Sequence, residues 1–268
     1  MERVRGYYDR MADSEWNRLT QALPAVEYSS TLHLIQKYFP TKGRIIDVGS
    51  GPGRYAFALA GKGYQVTLFD ISAQLLERAK AEFNNSSLKA VDFVQGSATD
   101  LSQFSTGYFD AGLMLGPLLH LTTQTERVRA ISELKRVLAP GAVVLLQYIN
   151  SWGLIKTGLS DFPAWYDEPD RIVAMLKDSV FENELKGSTD WYWSIPPIAL
   201  AEVQKAGLSV VSYAGAESFL GGMTAMLQNM LETEKARYEK VLQVAATMAE
   251  LPQYRDSTDH LVIVAKNG

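Results

Sequence analysis

The stretch RIIDVGSGPGRYAFALA, residues 44–60, sets three glycines at alternate positions between an apolar, β-branched run and a helical pattern. Residues 44–48 read as a buried strand and 54–60 as a helix. A strand that turns into a helix through Gly49, Gly51 and Gly53 leaves bare main chain and unpaired N–H groups at the bend. Such a chain is committed to packing helices on a sheet, and the bend is where a ligand can approach the backbone.

The alternation continues downstream. Residues 65–70 form a second strand, after which Ser72 is the expected N-cap of a helix carrying Leu75, Leu76, Ala79 and Phe83 on one face. Residues 90–95 and 108–115 fit a third and a fourth strand, and a helix from Thr123 to Leu138 stops at Pro140-Gly141. Residues 142–148, 208–214 and 260–265 complete seven strands. Strands separated by single helices build a mostly parallel sheet covered on both faces, so the expected class is α/β. Residues 1–40 read as an N-terminal helical cap and 41–150 as the core. Two insertions interrupt the second half. Residues 151–195 form an aromatic lid holding four of the five tryptophans, and within 196–268 a helical block spans 216–256.

Composition narrows the function. A formal net charge of −4 opposes binding nucleic acid through its phosphates, and the absence of cysteine excludes disulfides, a thiol nucleophile and thiolate-ligated metal. No metal site is expected. The first sixteen residues are charged and lack the apolar segment of a secretory signal. The longest apolar runs fall well short of the roughly 20 residues that span a bilayer. A cytoplasmic protein with no membrane association is the expectation.

Two ligand classes exploit a glycine bend after a first strand. Dinucleotides use G-x-G-x-x-G/A, which requires Gly or Ala where this chain has Arg54. The alternative is S-adenosylmethionine, and Asp47-x-Gly49-x-Gly51-x-Gly53 resembles motif I of the class I S-adenosylmethionine-dependent methyltransferases. Asp70 ends the second strand 21 positions after Gly49, where a carboxylate can accept from two vicinal ribose hydroxyls; capping the following helix is its alternative role. Gly96-Ser97-Ala98 resembles the family's third motif, with Ser97 in place of the usual adenine-binding acid. FDAGLMLGPLLHL at 109–121 and RVLAPGA at 136–142 look like matching segments of a large bacterial group of small methyltransferases. The resemblance covers residues 44–149 well.

This resemblance implies a seven-stranded, Rossmann-like class I methyltransferase sheet with helices on both faces. It implies that Asp47, Gly49, Ser50, Gly51, Gly53 and Arg54 line the methionine side of S-adenosylmethionine. Asp70 and Ile71 would meet the ribose, and Ser97, Ala98, Leu115 and Gly116 the remaining surface, with S-adenosylhomocysteine as product. Arg54 has a second reading as a solvated helix start.

A sulfonium methyl is already activated, so the acceptor needs chiefly a lone pair held in line at roughly 3 Å. His120, just past the fourth strand, is the candidate general base, with loop ordering as its alternative. Tyr8 and Trp16 lie in a segment that closes over the cofactor in related enzymes, or else they pack the cap. Trp152, Trp165, Tyr166 and Trp193 are candidates for an apolar acceptor wall, or for a private core of the insertion. Asp161, Asp167, Glu168 and Asp170 read as a solvated face or an attraction for amines, and His33 and His260 as structural.

The implied function is methyl transfer to a nitrogen or oxygen of a small molecule by a monomer or homodimer. A nucleic-acid methyltransferase and a non-catalytic S-adenosylmethionine-binding protein are the alternatives. Against the former, Leu115-Gly116-Pro117-Leu118 stands where enzymes acting on base amines often carry an Asn/Asp-Pro-Pro-aromatic tetrad.

Overall fold

The computed structural model describes residues 2–161, 163–178 and 191–268. Met1, Phe162, residues 179–190 and the Asp161 side chain, all within segments read above, lie outside the described residues. The strands are β1 (Arg44–Val48), β2 (Gln65–Asp70), β3 (Asp92–Gln95), β4 (Phe109–Met114), β5 (Leu138–Asn150), β6 (Trp193–Ser194), β7 (Ser209–Gly215) and β8 (His260–Lys266). They form one sheet in the order β3-β2-β1-β4-β5-β8-β7, and the two-residue β6 pairs with β5 off that path. Strands β1 to β5 pair in parallel, whereas β8 runs antiparallel to both β5 and β7.

The cap is three helices, α1 (Glu2–Arg10), α2 (Ala12–Arg18) and α3 (Pro24–Tyr38). The core helices are α4 (Arg54–Gly61), α5 (Ala73–Asn84) and α6 (Gln124–Val137). The first insertion contributes α7 (Ser151–Asp161) and α8 (Pro169–Asp178); α9 (Pro196–Lys205) returns to the core. The second contributes α10 (Thr224–Thr233), α11 (Lys235–Met248) and α12 (Pro252–Arg255). Local signals set these boundaries. Ser72 caps α5 by accepting from Leu75 N at 3.1 Å, and Thr123 caps α6 by accepting from Glu126 N while donating to its carboxylate at 2.7 Å. The helix α6 ends at Val137, ahead of Pro140-Gly141 as expected, but β5 begins already at Leu138. Pro140-Gly141 therefore forms an irregularity inside a longer strand than the expected 142–148, between the Leu138 and Val143 pairings, with Gly141 at φ +78°.

Side chains alternate between two apolar layers, as period two demands. Ile46, Met114 and Leu146 enter the layer under α6 and α9, while Ile45, Leu113 and Leu145 enter the layer shared with α3, α4 and α5. Each fully buried Leu or Ile of this kind contributes roughly 1.5–3 kcal/mol of transfer free energy. The cap and the second insertion share a third cluster of Leu23, Val26, Leu227 and Tyr238, and Tyr238 donates to Ala22 O at 2.5 Å. These two segments, far apart in sequence, brace each other over one end of the sheet.

Candidate active site

The bend after β1 is pinned by its neighbours. Gly49 N and Ser50 N both donate to Phe69 O, at 2.7 and 3.1 Å, which ties the loop to the end of β2. Gly49, Gly51 and Gly53 all adopt left-handed backbone, at φ +71°, +55° and +85°. Their surroundings differ. A β-carbon at Gly49 would stand 2.4 Å from Pro117, and one at Gly53 would stand 2.7 Å from Leu68, whereas one at Gly51 would meet nothing within 4 Å. Gly49 and Gly53 are therefore required by the protein's own packing, and Gly51 alone faces open space.

That space is a cavity of about 480 Å³ at the carboxyl edge of the sheet. Asp70 buttresses it, accepting from Gly51 N and Ser72 N at 2.8 Å each, so that one carboxylate joins the glycine bend to the start of α5. Burial pushes the Asp70 carboxyl up to about 6 against these hydrogen bonds. Asp47 is pushed up to about 7 by burial and by repulsion from Asp70, and its Oδ2 is buried without a hydrogen-bond partner. The amides of Gly49, Ser50, Gly51 and Gly53 are all bonded within the protein, so the bend offers bare main chain rather than free N–H groups, and the two buried acids form a cradle for hydroxyl and ammonium donors. Arg54 also lines the cavity, with its guanidinium 4.7 Å from the Trp16 ring and 5.6 Å from the Tyr28 ring.

At the other end, the loop after β4 presents His120, whose Nε2 lies 2.8 Å from the Tyr8 hydroxyl of α1. The His120 ring meets Tyr8 and Trp191 edge-on, at 5.3 and 5.1 Å. Trp165 and Trp193 pack at 5.6 Å, and with Leu119, Leu154, Ile149 and Ile172 they form one apolar cluster. Pairing of β6 with the end of β5, Trp193 opposite Ile149, carries the insertion's tryptophans to the cavity.

The floor beneath them is charged. His260 Nδ1 lies 2.6 Å from Glu217 Oε1 and 4.0 Å from Glu27 Oε2, and Arg18 donates to Glu27 at 3.0 Å. Burial alone would lower His260, but the two carboxylates lift it to about 9. Burial alone would raise Glu27, but Arg18, His260 and the amide of Gln147 bring it down to about 2. Glu27, Glu217 and His260 bring ligand atoms within 4.8 Å of one another, a grouping that could hold a metal ion. Here a proton on His260 and the Arg18 cation supply the balancing charge.

Of the candidate cofactor residues, Asp47, Gly49, Ser50, Gly51, Arg54, Asp70, Ile71, Ala98, Leu115 and Gly116 all line this cavity. Gly53 lies behind it, packed on Leu68 and Ala79. Ser97 is not among the lining residues: its hydroxyl pairs with Thr99 at 2.9 Å, and Gly96 takes its place on the wall. Tyr8, His120, Trp165 and Trp193 line the cavity, but Trp16, Trp152 and Tyr166 do not. Trp16 is stacked by Arg54 and Arg78 instead, Trp152 is 38% exposed at the start of α7, and Tyr166 donates to Ile155 O. On a helix or turn only one face can meet the cavity, and residue type alone does not say which. Asp167, Glu168 and Asp170 are exposed. Asp259 and His260, in contrast, line the cavity. An antiparallel β8 begins where its parallel neighbours end, so its first residues stand at the ligand edge; that direction is the signal that identifies them.

Residues 45–141 match the Methyltransf_25 family model, described as a methyltransferase domain. A ubiquinone biosynthesis O-methyltransferase of Xanthomonas oryzae pv. oryzae is 35% identical over 107 residues, covering 40% of this chain and 43% of the relative. A tRNA 5-carboxymethoxyuridine methyltransferase of Escherichia coli K12 is 28% identical over 136 residues, covering 50% of this chain and 51% of the relative. The chain spans about half the length of the curated relatives it matches. A crystal structure of an S-adenosylmethionine-dependent methyltransferase from Methanosarcina mazei aligns with a TM-score of 0.57 at 22% identity, covering 87% of this chain and 96% of that one. Sheet order, glycine bend and domain match define a class I methyltransferase fold. Residues 45–141 belong to the methyltransferase-domain family, and the chain as a whole has the fold of class I S-adenosylmethionine-dependent methyltransferases.

Proposed function

We propose that this protein transfers a methyl group from S-adenosylmethionine to a nitrogen or oxygen of a small molecule. The observation that carries the reading is the Asp70 carboxylate, bonded to Gly51 N and Ser72 N on a cavity into which Gly51 opens. The site's chemistry fits the donor. The orphaned Oδ2 of Asp47 would accept from the α-ammonium, Asp70 would accept from the ribose hydroxyls, and Arg54 would meet the carboxylate. When bound, the sulfonium supplies an activated methyl group.

The chain's own residues supply position and dryness. Leu115, Gly116 and Pro117 wall the space between the glycine bend and His120, while Ile149, Leu154 and the tryptophans exclude water from the acceptor end. Because His120 Nε2 is paired with the Tyr8 hydroxyl, a proton leaving an acceptor hydroxyl or ammonium would reach the imidazole through Tyr8. A small acceptor is favoured over RNA because the cavity carries five acids, Glu15, Glu27, Asp47, Asp70 and Asp259, against Arg18, Arg54 and His260. That excess matches the net charge of −4 and opposes a polyphosphate.

Calorimetric titration with S-adenosylmethionine and S-adenosylhomocysteine, followed by a methyl-transfer screen on pooled metabolites with product mass detection, tests the proposal. It expects saturable binding of both and a mass gain of one methyl group on a small acceptor. Folded protein that binds neither at high micromolar concentration contradicts it, and tight, salt-dependent tRNA binding with tRNA methylation contradicts the acceptor class.

A further inference from the structure

The acceptor end of the cavity holds an ion arrangement with one negative charge left over. Glu27 is matched by Arg18 at 3.0 Å and Glu217 by His260 at 2.6 Å, yet Asp259, the residue before β8, has no such partner among the described residues. Its Oδ2 accepts from the Thr157 hydroxyl of α7 at 2.5 Å, and its Oδ1 is buried with no hydrogen bond. The surrounding charges are Glu217, which repels it, and His260 and Lys156, which attract it; the Lys156 ammonium is tied to Ser257. A carboxylate so placed is held rigidly. Asn150 N donates to Asp259 O at 2.8 Å, and a β-carbon at Gly153 would stand 1.9 Å from the Thr258 carbonyl oxygen and one at Gly215 2.5 Å from the Thr258 hydroxyl, so Thr258 is wedged between α7 and β7.

An anion desolvated with one oxygen unsatisfied is costly unless a donor arrives. Asp259 shares its cavity with Tyr8, Trp165, Trp191 and Trp193, whose ring faces attract cations. Resting on the reading of this cavity as a methyl-transfer site, we infer that the acceptor is an amine, cationic at neutral pH and carrying an aromatic or apolar body, whose ammonium is held by the Asp259 carboxylate. Neutral alcohols of the same shape can donate a hydrogen bond to Asp259 but bring no opposite charge to it, and carboxylates meet a surplus of negative charge.

Three indole probes of matched shape test this by calorimetry on the full chain, each with and without S-adenosylhomocysteine: tryptamine, the alcohol tryptophol and indole-3-propionate. Tryptamine is expected to bind at least tenfold more tightly than tryptophol, and indole-3-propionate more weakly still. Asp259→Asn should cost tryptamine at least tenfold while leaving tryptophol and S-adenosylhomocysteine unchanged. The comparison of the three probes on the wild-type chain needs no variant.

Tryptophol or indole-3-propionate binding as tightly as tryptamine, no binding by any of the three, or an unchanged tryptamine affinity in folded Asp259→Asn overturns the inference. Tryptamine behaving as expected in a folded chain that fails to bind S-adenosylhomocysteine supports the Asp259 site and overturns the methyl-transfer reading alone.

Discussion

His260 Nδ1 sits 2.6 Å from Glu217 Oε1 at the start of the antiparallel strand β8, and the resulting ion pair makes folding depend on pH. His260 is raised from 6.5 to about 9, so its stabilisation is complete below pH 6.5 and lost as pH climbs through 9. Asp47, at about 7, and Asp70 and Asp259, at about 6, are likewise raised from 3.8; their contributions are complete below pH 4 and lost as pH rises through 6 to 7. Glu27 runs the other way, losing its contribution as pH falls from 4.5 to about 2. A tenfold change in proton affinity is about 1.4 kcal/mol. The ligand-free melting temperature should therefore peak near pH 4 and fall continuously towards pH 9. A midpoint that rises over that interval contradicts the assigned burial of these groups.

The three glycines should separate into two behaviours. Gly49→Ala and Gly53→Ala combine left-handed strain with clashes against Pro117 and Leu68, and should destabilise the fold by about 2–4 kcal/mol. Gly51→Ala meets open space, so it should cost only about 1–2 kcal/mol of strain while reducing S-adenosylhomocysteine affinity at least tenfold. Denaturant unfolding and calorimetry on the same three variants check both parts.

How much of this was legible in the sequence follows from which forces act locally. The Ser72 and Thr123 caps and the glycine bend depend on a few adjacent residues, and the structure places them where residue type and spacing predict. The Gly49 and Gly53 contacts depend on Pro117 and Leu68, which no local pattern links to the bend. Trp165 and Trp193 are indistinguishable from Trp152 by composition, yet only the first two face the cavity, because β6 pairs with β5 and α7 turns Trp152 outward. His260 was hidden for a related reason: its placement follows from strand direction rather than from neighbours in sequence.

Arg127 and Glu202 form a buried, bidentate pair at 2.9 and 2.6 Å, joining α6 to α9. Arg127 also donates to Leu121 O and Thr122 O, and its guanidinium lies 3.3 Å from the centre of the Tyr192 ring, between Trp191 and Trp193. Glu202→Gln leaves Arg127 uncompensated and should destabilise the protein by about 3–5 kcal/mol. Thermal unfolding measures it, and the replacement of both residues by apolar ones should recover much of the loss.

Ser97 holds Thr99 and does not reach the cavity, whereas Gly96 does. Ser97→Ala should therefore change S-adenosylhomocysteine affinity by less than about threefold, the scale of a marginal neutral hydrogen bond. A loss above tenfold by calorimetry would return Ser97 to the ligand surface.

The most direct test of the account is calorimetric titration of S-adenosylhomocysteine into the full chain and into Asp70→Asn, with thermal unfolding confirming that the variant is folded. Asp70 bridges the glycine bend and α5 through two amide hydrogen bonds, and its charge is the acceptor offered to the ribose. With each charge-assisted bond contributing about 1.5–3 kcal/mol, the account predicts saturable wild-type binding and a loss of at least a hundredfold in the variant. Equal affinity in the two proteins, or no binding by the folded wild-type chain, would contradict it.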